Sequence, residues 1–208
     1  MFINMVYEIG PNKSGATGYK NFIHYVNYIR TLLPDILVWY MSEEWGARVV
    51  SFEEFAKLRP KLGKVVATSG GFDPIHPGHI SCIIESKKYG DTLVVVVNGD
   101  SFLREKKGRP FQDLETRSLI VSGIAGVDYV IPFEIENDQT VNKALEFLKP
   151  DIFTKGGDRV DEESIPEWET CKKYGIKVVS GVGADKKWSS SWFLNDWNKA
   201  HTNGEIKS

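Results

Sequence analysis

At 208 residues the chain is long enough to bury one α/β core with an appendage and too short for two full enzyme domains. Its 41% apolar and 26% charged content is globular rather than disordered, and a formal charge of −2 with interspersed acids and bases excludes the basic footprint of a nucleic-acid binder. With no run of about 18 apolar residues and no basic leader pattern, neither a membrane span nor a secretory leader is expected, and the cytoplasm is the expected compartment.

The first 62 residues are expected as an N-terminal extension ending in a linker helix. A Gly/Ser/Thr/Pro-rich loop over 11–18 precedes residues 19–33, where Phe22, Ile23, Val26, Ile29, Leu32 and Leu33 recur at helical spacing until Pro34. Residues 35–41 are apolar and β-rich, with Trp39 and Tyr40, and Val49-Val50 is a candidate short strand. Ser51 followed by Glu54 makes a capping box for a helix over 52–58, which Pro60 ends. The extension reads either as a helical piece packed on the core or on a second subunit, or as a lid using Trp39, Tyr40 and Trp45.

From residue 64 the pattern alternates regularly. Apolar strands are expected at 64–68, 92–98, 129–133, 152–155 and 177–180, with helices at 77–89, 113–124, 140–148, 166–174 and 190–199 and a polar tail at 201–208. Five strands alternating with helices predict a parallel five-stranded sheet with helices on both faces, in a domain spanning 63–200. Cys82 and Cys171 fall in two of these helices without a CxxC partner and are expected as reduced, core or half-buried residues. Ligands of such sheets bind at the carboxyl ends of the strands, and each unusual loop here follows a strand: 69–76, 98–110, 155–160 and 181–189.

The first of these loops is the most informative. The strand breaks at Ser69-Gly70-Gly71, turns through Phe72-Asp73-Pro74, and a helix begins at Pro77-Gly78-His79. Glycines let a polyanion approach the backbone, and a helix start offers unpaired N–H groups and a positive dipole end. His76 and His79, three residues apart, share one side of that first turn and can donate to phosphate oxygens without titrating. A zinc site lacks a third nearby ligand, a dinucleotide fingerprint lacks its GxGxxG spacing, and a P-loop lacks its Gly-Lys-Ser/Thr.

The other loops each admit a plain reading beside the functional one. Asn98-Gly99-Asp100 is a turn and helix cap or a ligand contact. Lys106-Lys107-Gly108-Arg109-Pro110 is a solvated basic loop or a grip on phosphates. Lys155-Gly156-Gly157-Asp158 ends a strand with glycines that admit a flat ligand such as a nucleobase, and Ser189-Ser190-Ser191 is an N-cap or a second anion site. Their convergence on one sheet edge favours a phosphate-bearing ligand.

The run from Thr68 to His79 resembles the signature of the cytidylyltransferase-like nucleotidylyltransferases, His-x-Gly-His after Gly-x-Phe-Asp. Asn98-Gly99-Asp100, Lys107-Gly108-Arg109-Pro110 with Glu115-Thr116-Arg117, and Lys155-Gly156-Gly157-Asp158 are similar, in order and spacing, to segments of the adenylyltransferase half of the bifunctional ADP-heptose synthases. The resemblance covers residues 52 to about 195. It implies a Rossmann-like fold, Mg²⁺, ATP ahead of CTP as donor, a homodimer, and nucleotidyl transfer to a sugar phosphate or alditol phosphate with release of pyrophosphate.

The resemblance also implies roles. His76 and His79 are placed on the triphosphate and the charge at its α-phosphate; Lys107 and Arg109 on phosphates; Arg117 on phosphates or a nearby acid. The backbone of Ser69, Gly70, Gly71, Phe72 and Asp73 approaches the triphosphate, with Ser189, Ser190 and Ser191 on its far end. Lys155, Gly156, Gly157 and Asp158 face the base or ribose, and Asn98 and Asp100 join the nucleotide site. Two departures leave the acceptor open: Gly99 stands where the family usually has serine, and Lys186-Lys187-Trp188 precedes the serines where glycerol-phosphate relatives carry Arg-Thr-x-Gly-Ile. A cytidylyltransferase for glycerol-3-phosphate, a cofactor adenylyltransferase for FMN or pantetheine phosphate, and a non-catalytic nucleotide-binding module therefore stay open.

Overall fold

Val94 to Val97 are all 0% exposed, which requires cover on both faces of their strand. The computed structural model, which describes residues 46–135, 140–157, 164–185 and 187–206, supplies that cover. Its strands are β1 (Arg48–Val49), β2 (Val65–Gly70), β3 (Thr92–Asn98), β4 (Tyr129–Phe133), β5 (Ile152–Gly156) and β6 (Lys177–Val182). Its helices are α1 (Phe52–Leu58), α2 (Pro77–Lys87), α3 (Asp100–Lys107), α4 (Leu114–Ser122), α5 (Asn142–Leu148), α6 (Trp168–Tyr174) and α7 (Ser190–Thr202). The strands form one parallel sheet in the order β1-β4-β3-β2-β5-β6. The alternation of side chains explains the two cores. Val65, Ala67, Val94 and Val96 pack on one face with Phe55, Leu145 and Cys171, whereas Val66, Leu93, Val95 and Val97 pack on the other with Ile83 and Val121.

The Rossmann-like expectation holds, with six strands in place of five. The extra strand is β1, which overlaps the candidate short strand at Val49-Val50 and pairs with Tyr129 and Val130 through two residues only, Arg48 and Val49. A second difference is α3, expected as part of a loop. Only Phe102 and Leu103 of its eight residues are apolar, and its cap comes from far along the chain: the Glu134 carboxylate accepts the N–H groups of Asp100 and Ser101 at 2.6 and 3.0 Å. The Ser51–Glu54 capping box on α1 is present in both directions. The elements expected over 11–18, 19–33 and 35–41, and the candidate site residue Asp158, lie outside the described residues. Among the described residues no helix is long and apolar enough to cross a membrane.

From β2 the chain winds outward through β3 to β4, then returns to place β5 on the other side of β2. That reversal is the switch point at which doubly wound sheets hold ligands. Pairing of β2 with β5 runs only from Val66↔Ile152 to Thr68↔Thr154, and Ser69–Gly70 and Lys155–Gly156 continue beyond it as the walls of a crevice. Beneath it, the buried hydroxyls of Ser86 on α2 and Thr154 on β5 lie 2.7 Å apart, and the Thr68 hydroxyl donates to the Thr154 carbonyl at 3.1 Å.

Candidate active site

A cavity of about 620 Å³ opens at this switch point, lined by the ends of β2 and β5, the start of α2, the last turn of α3 and the start of α7. His76 is the N-cap of α2, and its Nδ1 accepts the His79 N–H at 3.3 Å. The two imidazoles stack at 3.6 Å with 18° between their planes. Gly78 makes this possible, since a Cβ there would lie 3.2 Å from the His76 ring. On its other side His79 meets the edge of Phe72 at 5.2 Å, and Phe72 itself sits in the left-handed region at φ 52°, an uncommon conformation for an aromatic residue.

Burial, then His76, Lys107 and Lys106, hold His79 down at about 3, and burial followed by Lys107 lowers His76 as well. Both rings are therefore neutral at pH 7. With Nδ1 of His76 accepting, its proton resides on Nε2, a donor. The Nδ1 of His79 is buried with no hydrogen-bond partner among the described residues, as is Oδ1 of Asn98, which also lines the cavity. Buried polar atoms left unsatisfied on residues of a cavity wall are ones that a bound ligand or water would satisfy.

The basic segment divides. Lys106 and Lys107 belong to the last turn of α3 rather than to a loop, and both line the cavity. Lys107 donates to the Asp73 carbonyl, and burial lowers its pKa. Arg109 is exposed and does not line the cavity. Arg117 is 0% exposed and every bond it makes is to the protein: to the carbonyls of Gln112 at 3.0 Å, Gly71 at 2.8 Å and Asn98 at 2.6 Å, and to Asp100 at 2.6 Å. Of the two expectations for Arg117, the acid partner is the one realised, and it consumes Asp100, which is likewise absent from the lining. Asp73 is also 0% exposed, its carboxylate accepting the N–H groups of Phe111 at 2.9 Å and Gln112 at 2.8 Å. It fastens the segment after α3 to the β2–α2 turn.

The remaining expected residues converge. Ser69, Gly70, Gly71, Lys155, Gly156, Gly157, Ser189, Ser190 and Ser191 all line the cavity. The glycines serve packing as well as access: a Cβ at Gly70 would lie 3.0 Å from the Phe72 ring, at Gly71 3.0 Å from Leu103, and at Gly156 2.8 Å from the Cys82 sulfur. Ser190 donates its hydroxyl to the Pro74 carbonyl at 2.9 Å, which ties the start of α7 to the β2–α2 turn and spends that hydroxyl on the fold. Sequence reasoning missed Glu167, 3% exposed in the cavity wall and paired with Lys155 at 3.1 Å. An acid in the first turn of the helix expected over 166–174 reads as a dipole partner, and nothing in its spacing points to a lysine on β5.

The family model for cytidylyltransferase-like proteins matches residues 67–197, which contain every lining residue named above. The chain belongs to the cytidylyltransferase-like family. That membership makes it a nucleotidyltransferase of this family. This cytidylyltransferase-like chain is 34% identical over 167 residues to the bifunctional protein HldE of Haemophilus ducreyi, covering 77% of the chain and 31% of the relative. It is 42% identical over 117 residues to the bifunctional protein HldE of Hahella chejuensis, covering 55% and 24%. It thus spans about a quarter to a third of these relatives' length. Among solved structures it is similar to a lipopolysaccharide core biosynthesis protein from Thermoplasma volcanium, at 35% identity and a TM-score of 0.50 over 59% of this chain and 99% of that one. A pantoate-beta-alanine ligase from Francisella tularensis, 16% identical with a TM-score of 0.51 over 76% and 78% of the two chains, shares the fold.

Proposed function

We propose that the chain transfers AMP from ATP to the phosphate of a sugar phosphate or alditol phosphate and releases pyrophosphate. The observation that carries this reading is the stacked, neutral His76–His79 pair at the start of α2, facing a cleft that also holds Lys107. Similarity to the HldE proteins and to a lipopolysaccharide core biosynthesis protein supports a sugar phosphate as acceptor, and the resemblance to the ADP-heptose synthases supports ATP as donor.

A phosphate monoester with a second pKa of about 6 is largely dianionic at pH 7, so the acceptor needs no general base. Two histidines held neutral suit that chemistry: they donate hydrogen bonds to oxygens of the triphosphate and to charge growing at the α-phosphate. Lys107 adds a cation, and the N–H groups at the start of α7 face the β- and γ-phosphates. The rate then derives from in-line positioning and charge stabilisation. Asp73, Asp100 and Glu167 direct their carboxylates to protein donors, and among the described residues no three His, Cys, Asp or Glu side chains converge on a metal position. Mg²⁺ accordingly enters this reading as part of the nucleotide substrate, the usual way it reaches a phosphoryl site.

Pyrophosphate release with Mg²⁺ tests the proposal, crossing ATP, CTP, GTP and UTP against heptose-1-phosphates, glycerol-3-phosphate, ribitol-5-phosphate, FMN and 4′-phosphopantetheine. Turnover of ATP with a sugar or alditol phosphate is expected. Turnover with CTP or with a cofactor phosphate alone would replace the donor or the acceptor, and triphosphate binding without turnover by any pair would favour a binding module.

A further inference from the structure

Four residues of α3 line the cavity: Phe102, Leu103, Lys106 and Lys107. Phe102 with Lys106 and Leu103 with Lys107 are i, i+4 pairs, so the four make two adjacent rows along one side of the helix. One row fastens α3 to the β2–α2 turn. Leu103 is 1% exposed, a Cβ at Gly71 would lie 3.0 Å from it, and Lys107 donates to the Asp73 carbonyl. The other row stays more open: Phe102 is half-buried, its Cε1 3.8 Å from that same Gly71 position, and the Lys106 ammonium lies 5.3 Å from the centre of its ring. Besides the two histidines, Phe72 and Trp188 are the other aromatic lining residues among those described. Phe72 is 5% exposed and packs against His79, and Trp188 lies 3.7 Å from where a Cβ on Gly78 would stand, at the start of α2. Phe102 is therefore the aromatic surface that the cavity keeps on the α3 side.

Two elements meet the β2–α2 turn, and they meet different halves of it. α3 reaches Gly71 and Asp73 through Leu103 and Lys107. The start of α7 reaches the Pro74 carbonyl through Ser190, and the Phe193 ring lies 6.3 Å from that of His76. In-line displacement sets the attacking and leaving oxygens on opposite sides of the phosphorus. With the α-phosphate at the histidines and the β- and γ-phosphates at the start of α7, the attacking phosphate approaches from α3, where Lys107 meets it. The carbon skeleton behind that phosphate then runs along α3. We propose that Phe102 is a specificity-determining residue for the acceptor, an apolar wall that favours a cyclic sugar phosphate over an open-chain alditol phosphate. A sugar ring brings several C–H groups to a phenyl surface already in place, whereas an open chain must freeze its rotors to offer the same contact. The inference rests on the transfer reading above and narrows its acceptor class.

Steady-state pyrophosphate release by the full chain with ATP and Mg²⁺, varying a heptose-1-phosphate and ribitol-5-phosphate in turn, tests it. The parent is expected to use the heptose-1-phosphate with the higher kcat/KM. Phe102→Ala is expected to raise the KM for the heptose-1-phosphate about 10-fold, the scale of one lost aromatic contact, with kcat and the KM for ATP each within about two-fold of the parent. Phe102→Tyr keeps the ring and is expected to stay within about two-fold in all three. Phe102→Leu keeps apolar bulk without the flat ring and is expected to raise the same KM about 5-fold, which keeps the test open should Phe102→Ala fail to fold. A merely structural role would move kcat or the KM for ATP as far as the KM for the acceptor, and that pattern overturns the proposal. A heptose-1-phosphate KM within two-fold of the parent in both Phe102→Ala and Phe102→Leu overturns it too. A parent that uses ribitol-5-phosphate as well as or better than the heptose-1-phosphate overturns the role of Phe102 and leaves the transfer standing. A parent that turns over no sugar or alditol phosphate with ATP overturns the transfer reading and this inference together.

Discussion

Two neighbouring strand-to-helix crossings, β2 to α2 and β3 to α3, end at the same cavity and are built on opposite plans. The first is local: the cap of α2 is His76, its partner is the N–H of His79, and Gly78 between them clears the space. The second is assembled from a distance: the cap of α3 is a carboxylate 34 residues further on, Glu134, and Asp100 is held by Arg117. In the local crossing the side chains whose spacing carries the signal are also the ones that line the cleft. In the distant one Asp100 and Arg117 hold each other, and what reaches the cleft is Asn98 at the strand end with Phe102, Leu103, Lys106 and Lys107 along the helix.

This contrast breaks most sharply at Arg117. Replacing it with methionine strands Asp100 and three carbonyls, and a stability loss of about 3–5 kcal/mol is expected in urea denaturation; a loss under about 1 kcal/mol would show that the clasp is dispensable. His79→Ala strikes the local crossing, with kcat expected to fall by about 10²-fold while the fold persists by circular dichroism. The same residue carries an acid signature. Its pKa is about 3 in the folded chain against 6.5 otherwise, so between these values the unfolded chain takes up a proton that the folded chain refuses. The contribution is full above pH 6.5 and is lost as pH falls towards 3, at up to about 1.4 kcal/mol per pH unit, and His79→Ala should flatten that part of the stability profile.

A smaller effect sharpens the distant plan. Gly99→Ser would place a Cβ 2.5 Å from the Glu134 carboxylate and is expected to cost about 1–3 kcal/mol, yet little in a Glu134→Ala background, a non-additivity that thermal melts of the four proteins would reveal. Least of all is expected of Arg109→Ala: exposed and outside the lining, it should leave stability within about 0.5 kcal/mol and kcat/KM within about two-fold.

The legible parts share one property. Val94 to Val97, the Ser51–Glu54 box and the run from Ser69 to His79 each interact within a turn or along a strand, so spacing alone exposes them, and the sheet edge they predicted is where the cavity lies. α3, the Arg117 clasp and Glu167 owe their places to contacts that reach from 12 to 46 residues along the chain. A charge in a sequence announces that it needs a partner but not whether that partner is a ligand. Arg117 and Lys107 look alike in the chain, and only burial separates a clasp from a contact.

The hydroxyls of Ser86 and Thr154, with Thr68 bonded across to the Thr154 carbonyl, lie directly under the crevice and stitch α2 to both strands that flank it. A stitched floor means that the cleft does not widen by parting the sheet. On the proposed transfer, acceptors of different length would be sorted by the rim, where Lys107 at the end of α3 and Trp188 and Ser189 before α7 line the cavity, and a change of substrate range would be a matter of rewriting those margins and leaving the seam alone.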